Sequence, residues 1–114
     1  MHELSIALSI LDIAAEEAEA RGIVSVKKIH LKLGPLAGVV KEALVSAFEM
    51  ARHESALAQA ELVIEEMPIL IRCPNCRDLR PIVSMQQFAC ADCGAASADV
   101  AQGREMEIVA LEIE

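Results

Sequence analysis

The chain has 114 residues, the size of one ordinary domain, so any second unit must be small enough for a cross-link or a bound metal to replace a core. Apolar residues make up 54% of it, yet Phe48 and Phe88 are the only aromatic ones, which leaves an aliphatic core. A net charge of -8, spread along the chain and not gathered in a tail, repels phosphate backbones and argues against a nucleic-acid partner.

From Leu4 to Arg21 apolar residues recur at Leu4, Leu8, Leu11, Ala15 and Ala18, with Asp12, Glu16 and Glu19 elsewhere and Gly22 just beyond. The spacing predicts an amphipathic helix with a glycine stop and a solvated acidic face. Ile29, Leu31 and Leu33 then alternate with Lys28, His30 and Lys32, the period-two pattern of a strand with one buried face. Gly34-Pro35 and Gly38 break that strand. Between Val40 and Arg52 a second helix is predicted, with Leu44, Phe48 and Ala51 on one face and Glu42, Glu49 and Arg52 off it. Leu62 and Ile64 alternate with Glu61, Val63 and Glu65 before Pro68, a second strand that runs on into Ile69-Leu70-Ile71. After the cysteine region and the small residues Ala95 to Ala98, a final strand sets Val109, Leu111 and Ile113 against Ala110, Glu112 and Glu114. Met106 and Ile108 are out of phase with it, which predicts a bulge near Ile108.

The last strand would bury too little as an isolated edge, so it must return to the main body. The fold class is therefore α+β: a small sheet of about three strands flanked by two helices, with an inserted module whose two Cys-x-x-Cys pairs, Cys73 with Cys76 and Cys90 with Cys93, are spaced to make it zinc-ribbon-like. The predicted boundaries are 1–68 and 103–114 for the main domain and 69–102 for the insertion, joined by short strand continuations near Pro68 and Gly103. No apolar run reaches the roughly 18 residues of a membrane span, and Met1-His2-Glu3-Leu4 lacks the positive flank of a signal peptide. A cytoplasmic protein without membrane insertion is expected.

Cys73-Pro74-Asn75-Cys76 and Cys90-Ala91-Asp92-Cys93-Gly94 each hold two thiols two residues apart on a tight turn. In a reducing compartment such pairs are metal ligands before they are disulfides. Two knuckles facing one another place four thiolates at the corners of a tetrahedron, which suits zinc because its filled d shell imposes no competing geometry. The thirteen intervening residues leave room for a small hairpin. A redox dithiol needs only one pair, usually opening a helix, and a four-sulfur iron site commonly packs aromatics where this chain has only Phe88. Four closed ligands leave no open coordination position, so zinc here is structural and not catalytic.

Met1-His2-Glu3 is the second constellation. A bulky second residue such as His2 blocks removal of the initiator methionine and leaves a free amine. That amine, the His2 amide nitrogen and the His2 ring nitrogen close two fused chelate rings on one ion, with the Glu3 amide or another group as fourth donor. Planar nitrogen donors favour nickel(II) or copper(II) over zinc. Taken alone, the same residues also read as a plain helix lead-in, with Glu3 near the positive helix end.

His30, among outward lysines, reads as a solvated residue, and His53 as a helix-terminal one. Met50, Met67, Met85 and Met106 are scattered and read as packing residues. The sequence carries no Ser-His-Asp set, no phosphate-binding glycine loop and no HExxH pattern, so no enzyme is expected.

Met1-His2-Glu3-Leu4-Ser5, the Gly34 turn followed by Ala43-Leu44-Val45-Ser46-Ala47-Phe48-Glu49, the two cysteine pairs and Gly103-Arg104-Glu105-Met106 together resemble the HypA/HybF family, accessory proteins for nickel insertion into [NiFe]-hydrogenase. The resemblance runs over essentially the whole chain. It implies a nickel-binding domain carrying a zinc domain, with the GTPase HypB and the hydrogenase large subunit as partners. By position it implies nickel ligands at the Met1 amine, at His2 through amide and imidazole, and at Glu3 mainly through its backbone amide, with zinc on Cys73, Cys76, Cys90 and Cys93. Two departures stand out: Val39 and Val40 lie where some members carry an acidic side chain, with Glu42 the nearest carboxylate, and no histidine flanks either cysteine pair. The resulting expectation is a nickel metallochaperone, with zinc structural and nickel transported. A zinc-ribbon interaction adaptor without nickel is the alternative. A homodimer, for instance by strand exchange, is compatible with either reading.

Overall fold

The computed structural model describes residues 2–113. Helix α1 (Glu3–Ala20) begins after His2, whose extended backbone (φ -89°, ψ 123°) makes it the cap residue and puts Glu3 in the first turn, where negative charge is favoured. It ends at the predicted glycine. Gly22 takes φ +66°, the Ile23 N–H reaches back to the Ala18 carbonyl at 2.8 Å and the Gly22 N–H to the Glu19 carbonyl at 3.1 Å.

The buried face of α1 differs from the predicted stripe. Ile6, Ala7, Ile10, Leu11, Ala14 and Ala18 are buried, whereas Leu4 is 50% and Leu8 48% exposed. Two apolar stripes share Leu11 and Ala18, and the packing partners, not the helix, decide which one is covered.

Strand β1 (Val26–Leu33) buries Ile29, Leu31 and Leu33 and leaves Lys28, His30 and Lys32 half-buried on the other side, as the alternation requires, while Val26 at its start is buried out of that phase. Helix α2 (Lys41–Arg52) buries Leu44 and Phe48 completely. Beyond it, Arg52 donates to the Ala60 carbonyl at 2.9 Å and pairs with Glu49 at 2.8 Å, which ties the helix end to the loop before β2 (Glu61–Glu66). The predicted run from Leu62 through Ile71 is two strands and not one. β2 stops before Pro68, which has no N–H to offer a ladder, and β3 (Leu70–Cys73) belongs to a different sheet.

The chain forms two compact units. The first comprises Met1–Lys32, Gly38–Glu65 and Glu107–Glu114. Its three-stranded sheet has the order β2-β1-β7, with β7 (Met106–Ile113) the returning last strand. Ile29 and Leu31 share one aliphatic core with Ile6, Ile10, Leu11, Leu44 and Phe48, so both helices cover the same sheet face. Ile108 and Leu111 join that core while Val109 and Ile113 stay about half exposed. That corrects the predicted phase of β7 at Val109 and Ile113, whereas Leu111 faces the core as expected.

The second unit comprises Leu33–Ala37 and Glu66–Met106. It is a four-stranded sheet of order β5-β4-β3-β6, built from β3, β4 (Asp78–Ser84), β5 (Gln87–Cys90) and β6 (Val100–Gln102). Antiparallel pairing places Ile71 opposite both Arg80 and Val100, and Ile82 opposite Cys90. At its base the Gly34 N–H donates to the Glu105 carbonyl at 2.7 Å and the Leu36 N–H to the Gly103 carbonyl at 2.8 Å. A Cβ on Gly34 would sit 2.1 Å from that same Gly103 oxygen, so only glycine permits the crossing. Among the described residues, no helix is long and apolar enough to cross a membrane.

Candidate metal centres

The cysteine centre is built from two equivalent turns. In the first, the Arg77 N–H donates to the Cys73 carbonyl at 2.8 Å and the Cys76 N–H points at Cys73 Sγ at 3.3 Å. In the second, the Gly94 N–H donates to the Cys90 carbonyl, also at 2.8 Å. Each turn closes on a left-handed residue four positions after its first cysteine, Arg77 at φ 57° and Gly94 at φ 78°. Glycine adopts that conformation freely, and arginine at about 1–2 kcal/mol. The β4–β5 hairpin fills the interval between the knuckles and brings them face to face.

All four sulfurs lie within 4.8 Å of one another. Cys73 Sγ and Cys93 Sγ are 3.5 Å apart, and Cys76 Sγ and Cys90 Sγ 3.9 Å. These bracket the roughly 3.8 Å edge of a tetrahedron whose metal–sulfur bonds are about 2.3 Å. They are far beyond the roughly 2.05 Å of a disulfide. The four thiols fit one tetrahedral ion. Their protons are held unequally: hydrogen bonding to Cys93, then burial, push the Cys76 thiol up to about 12, while the Asn75 side chain, then the Ala95 backbone, draw Cys93 down to about 6. A bound cation of borderline softness would supply charge stabilisation for all four thiolates and so fold this unit around itself.

Sequence reasoning did not anticipate the charged frame around this cluster. Arg80 pairs with Asp78 at 3.1 Å and with Asp92 at 2.9 Å, and Asp92 lies inside the second knuckle. The Leu79 backbone N–H, then Arg80, hold the Asp78 carboxyl below the usual carboxylate range. The signal available was an Asp-Leu-Arg run just after one cysteine pair and an aspartate inside the other.

At the amino terminus, Met1 lies outside the described residues. His2 is exposed, and its ring makes no capping hydrogen bond to the helix. Glu3 is half-buried, and its carboxylate accepts the Val40 N–H at 3.4 Å. Val40 has no polar side chain with which to cap α2, so Glu3 supplies negative charge to that helix start from elsewhere in the chain. Glu42 sits in the first turn of α2. His30, predicted to be merely solvated, is hydrogen-bonded to Glu112 of β7. That contact, then the charges of Lys28, His30 and Lys27, holds the Glu112 carboxyl below its ordinary range.

Comparison with known proteins places these features in one family. The family model described as "Hydrogenase/urease nickel incorporation, metallochaperone, hypA" matches residues 1–113. The chain is 42% identical over 112 residues to the hydrogenase maturation factor HypA of Chloroflexus aurantiacus strain J-10-fl, covering 98% of each protein. It is 42% identical over 114 residues to that of Roseiflexus sp. strain RS-1, covering 100% of this chain and 93% of the relative. The fold resembles the solution structure of the Ni metallochaperone HypA from Helicobacter pylori, with a TM-score of 0.69 at 26% identity over 99% of this chain and 97% of that one.

Proposed function

Because the chain belongs to the HypA family, we propose that it is a non-catalytic nickel metallochaperone for hydrogenase maturation, taking up Ni(II) at its amino terminus and holding a structural zinc ion in its cysteine cluster. The observation that carries the reading is the match over residues 1–113, which includes His2, Glu3 and all four cysteines.

In this reading the Met1 amine, the His2 amide and imidazole and the Glu3 amide are the nickel donors. The exposure of His2 supports a delivery role, because an incoming ligand can replace an exposed donor stepwise. The Glu3 carboxylate, engaged with Val40, positions the donor backbone and leaves coordination to the amide. Glu42, in the first turn of α2, has no assigned donor role. Cys73, Cys76, Cys90 and Cys93 hold zinc, whose filled d shell suits a closed sulfur tetrahedron. The first compact unit is thus the nickel-binding domain and the second the zinc domain. The GTPase HypB and the hydrogenase large subunit are the proposed partners, in the cytoplasm.

Adding a single residue before Met1 tests the proposal, since it displaces the amine and leaves the cysteines intact. Nickel titration of that variant should show binding lost, with zinc content unchanged. Unaltered nickel affinity would remove the chaperone reading and leave a zinc-stabilised interaction adaptor.

A further inference from the structure

Arg80 is the third residue of β4, paired across the sheet with Ile71, one of the three residues fully enclosed in the core of the second unit. Its guanidinium is bound on three sides. One terminal nitrogen meets Asp78 Oδ2 at 3.1 Å and the Leu79 carbonyl at 2.9 Å, and Nε faces Asp92 Oδ2 at 2.9 Å. Asp78 follows Cys76 by two residues, and Asp92 lies between Cys90 and Cys93. One side chain therefore reaches both knuckles, beside the hairpin, the shared sulfur cluster and the Asn75 side chain that meets Cys93.

Burial marks Arg80 as the fixed member of this trio. Its side chain is 29% exposed, against 66% for Asp78 and 63% for Asp92. Nε is shut off from solvent and has no well-aligned hydrogen bond, so its compensation is the Asp92 charge. The electrostatics point the same way. Four thiolates on one divalent cation carry two net negative charges, and Asp78 and Asp92 add two more beside them. Arg80 is the cation that faces both aspartates, and its field reaches Cys76. Arg72, by contrast, is engaged with Asp99. A planar fork suits this work, because it meets two carboxylates at once where an ammonium is a single point of charge.

We propose that Arg80 is a positioning residue that fastens the two cysteine knuckles to one another and sets how slowly they release zinc. The inference rests on the reading of the cysteine cluster as a zinc site.

The test uses the full-length, zinc-loaded protein with Arg80→Gln and Arg80→Lys. Zinc transfer to a chromogenic chelator is timed, and cobalt-substituted samples give the visible ligand-field spectrum. Arg80→Gln should release zinc about tenfold faster or more, in keeping with the effect of outer partners on metal sites. Arg80→Lys should fall between it and the parent, because charge is kept and the bridge is lost. The cobalt spectrum of both should weaken or shift as the sulfur tetrahedron loosens, a change that a purely remote packing role would not produce.

If Arg80→Gln fails to fold, Arg80→Lys decides the matter. Release from Arg80→Lys at the parent rate, with an unaltered cobalt spectrum, overturns the proposal. Full zinc in the parent with unchanged release in the variants sinks Arg80's role alone. A parent with no zinc would sink the reading of the cysteine site, and Arg80's role with it.

Discussion

The two compact units are held together by different means. In the first, an aliphatic core runs from Ile6 through Ile29 and Leu31 to Leu44 and Phe48, drawing on both helices and the sheet. In the second, the buried cluster among the described residues is Ile71, Cys73 and Cys90, and two of those three are candidate metal ligands. Such a unit buries too little apolar surface to offset its chain entropy unaided. The contrast separates a body that folds by exclusion of water from one that, with its cysteine cluster read as a metal site, folds by coordination.

The largest effect expected from this contrast follows metal removal. Structural zinc contributes on the order of 10–16 kcal/mol in small metal-folded units. Cys90→Ser, or exhaustive chelation, should therefore abolish amide protection in β3 to β6 while α1, β1 and α2 keep theirs. Hydrogen exchange followed by mass spectrometry reads the two units separately, and equal loss in both would break the comparison.

Phe48→Ala is the converse experiment. It empties a fully buried site in the aliphatic core and should cost about 3–5 kcal/mol in urea unfolding of the first unit. Zinc content should be unchanged.

Gly34→Ala probes the backbone crossing at the base of the second unit. The added methyl meets the Gly103 carbonyl, so the strands must part, at a cost of about 1–3 kcal/mol or more. Loss of stability should appear together with faster exchange of the Leu36 amide, which donates to that carbonyl.

The smallest effect concerns the His30–Glu112 contact on the exposed side of the first unit's sheet. The Glu112 carboxyl is held below its ordinary value of 4.5, so it ionises more readily in the native state than in the unfolded chain. Its contribution is complete above that ordinary value and is lost as pH falls through the lowered native one. Urea midpoints of the parent and Glu112→Gln should differ by a constant amount near neutral pH and converge as the solution is acidified below about 4.5.

Much of this was legible from the residues. Both helices, β1 with its alternating face and the glycine stop after α1 follow from local rules that the folded chain obeys. The cysteine spacing likewise pointed to the cluster that the hairpin assembles. What sequence could not give was set by partners distant along the chain. Leu4 and Leu8 were as credible a stripe as Ile6 and Ile10, and only the packing of α1 chooses between them. The division of β2 from β3 turned on whether Pro68 edits a strand or ends it. Arg80 was one arginine among several until β4 brought it between Asp78 and Asp92. Glu3 as a carboxylate for the start of α2 needs two helix ends to meet, which no local pattern records.

The division of labour between the two candidate sites is most directly examined by X-ray absorption at the nickel and zinc edges of one untagged sample loaded with both ions. Four sulfurs at about 2.3 Å around zinc and a nickel shell of nitrogen and oxygen donors alone are expected. Sulfur in the nickel shell would contradict that division, because nickel would then be held by the cysteines and not by the amino terminus.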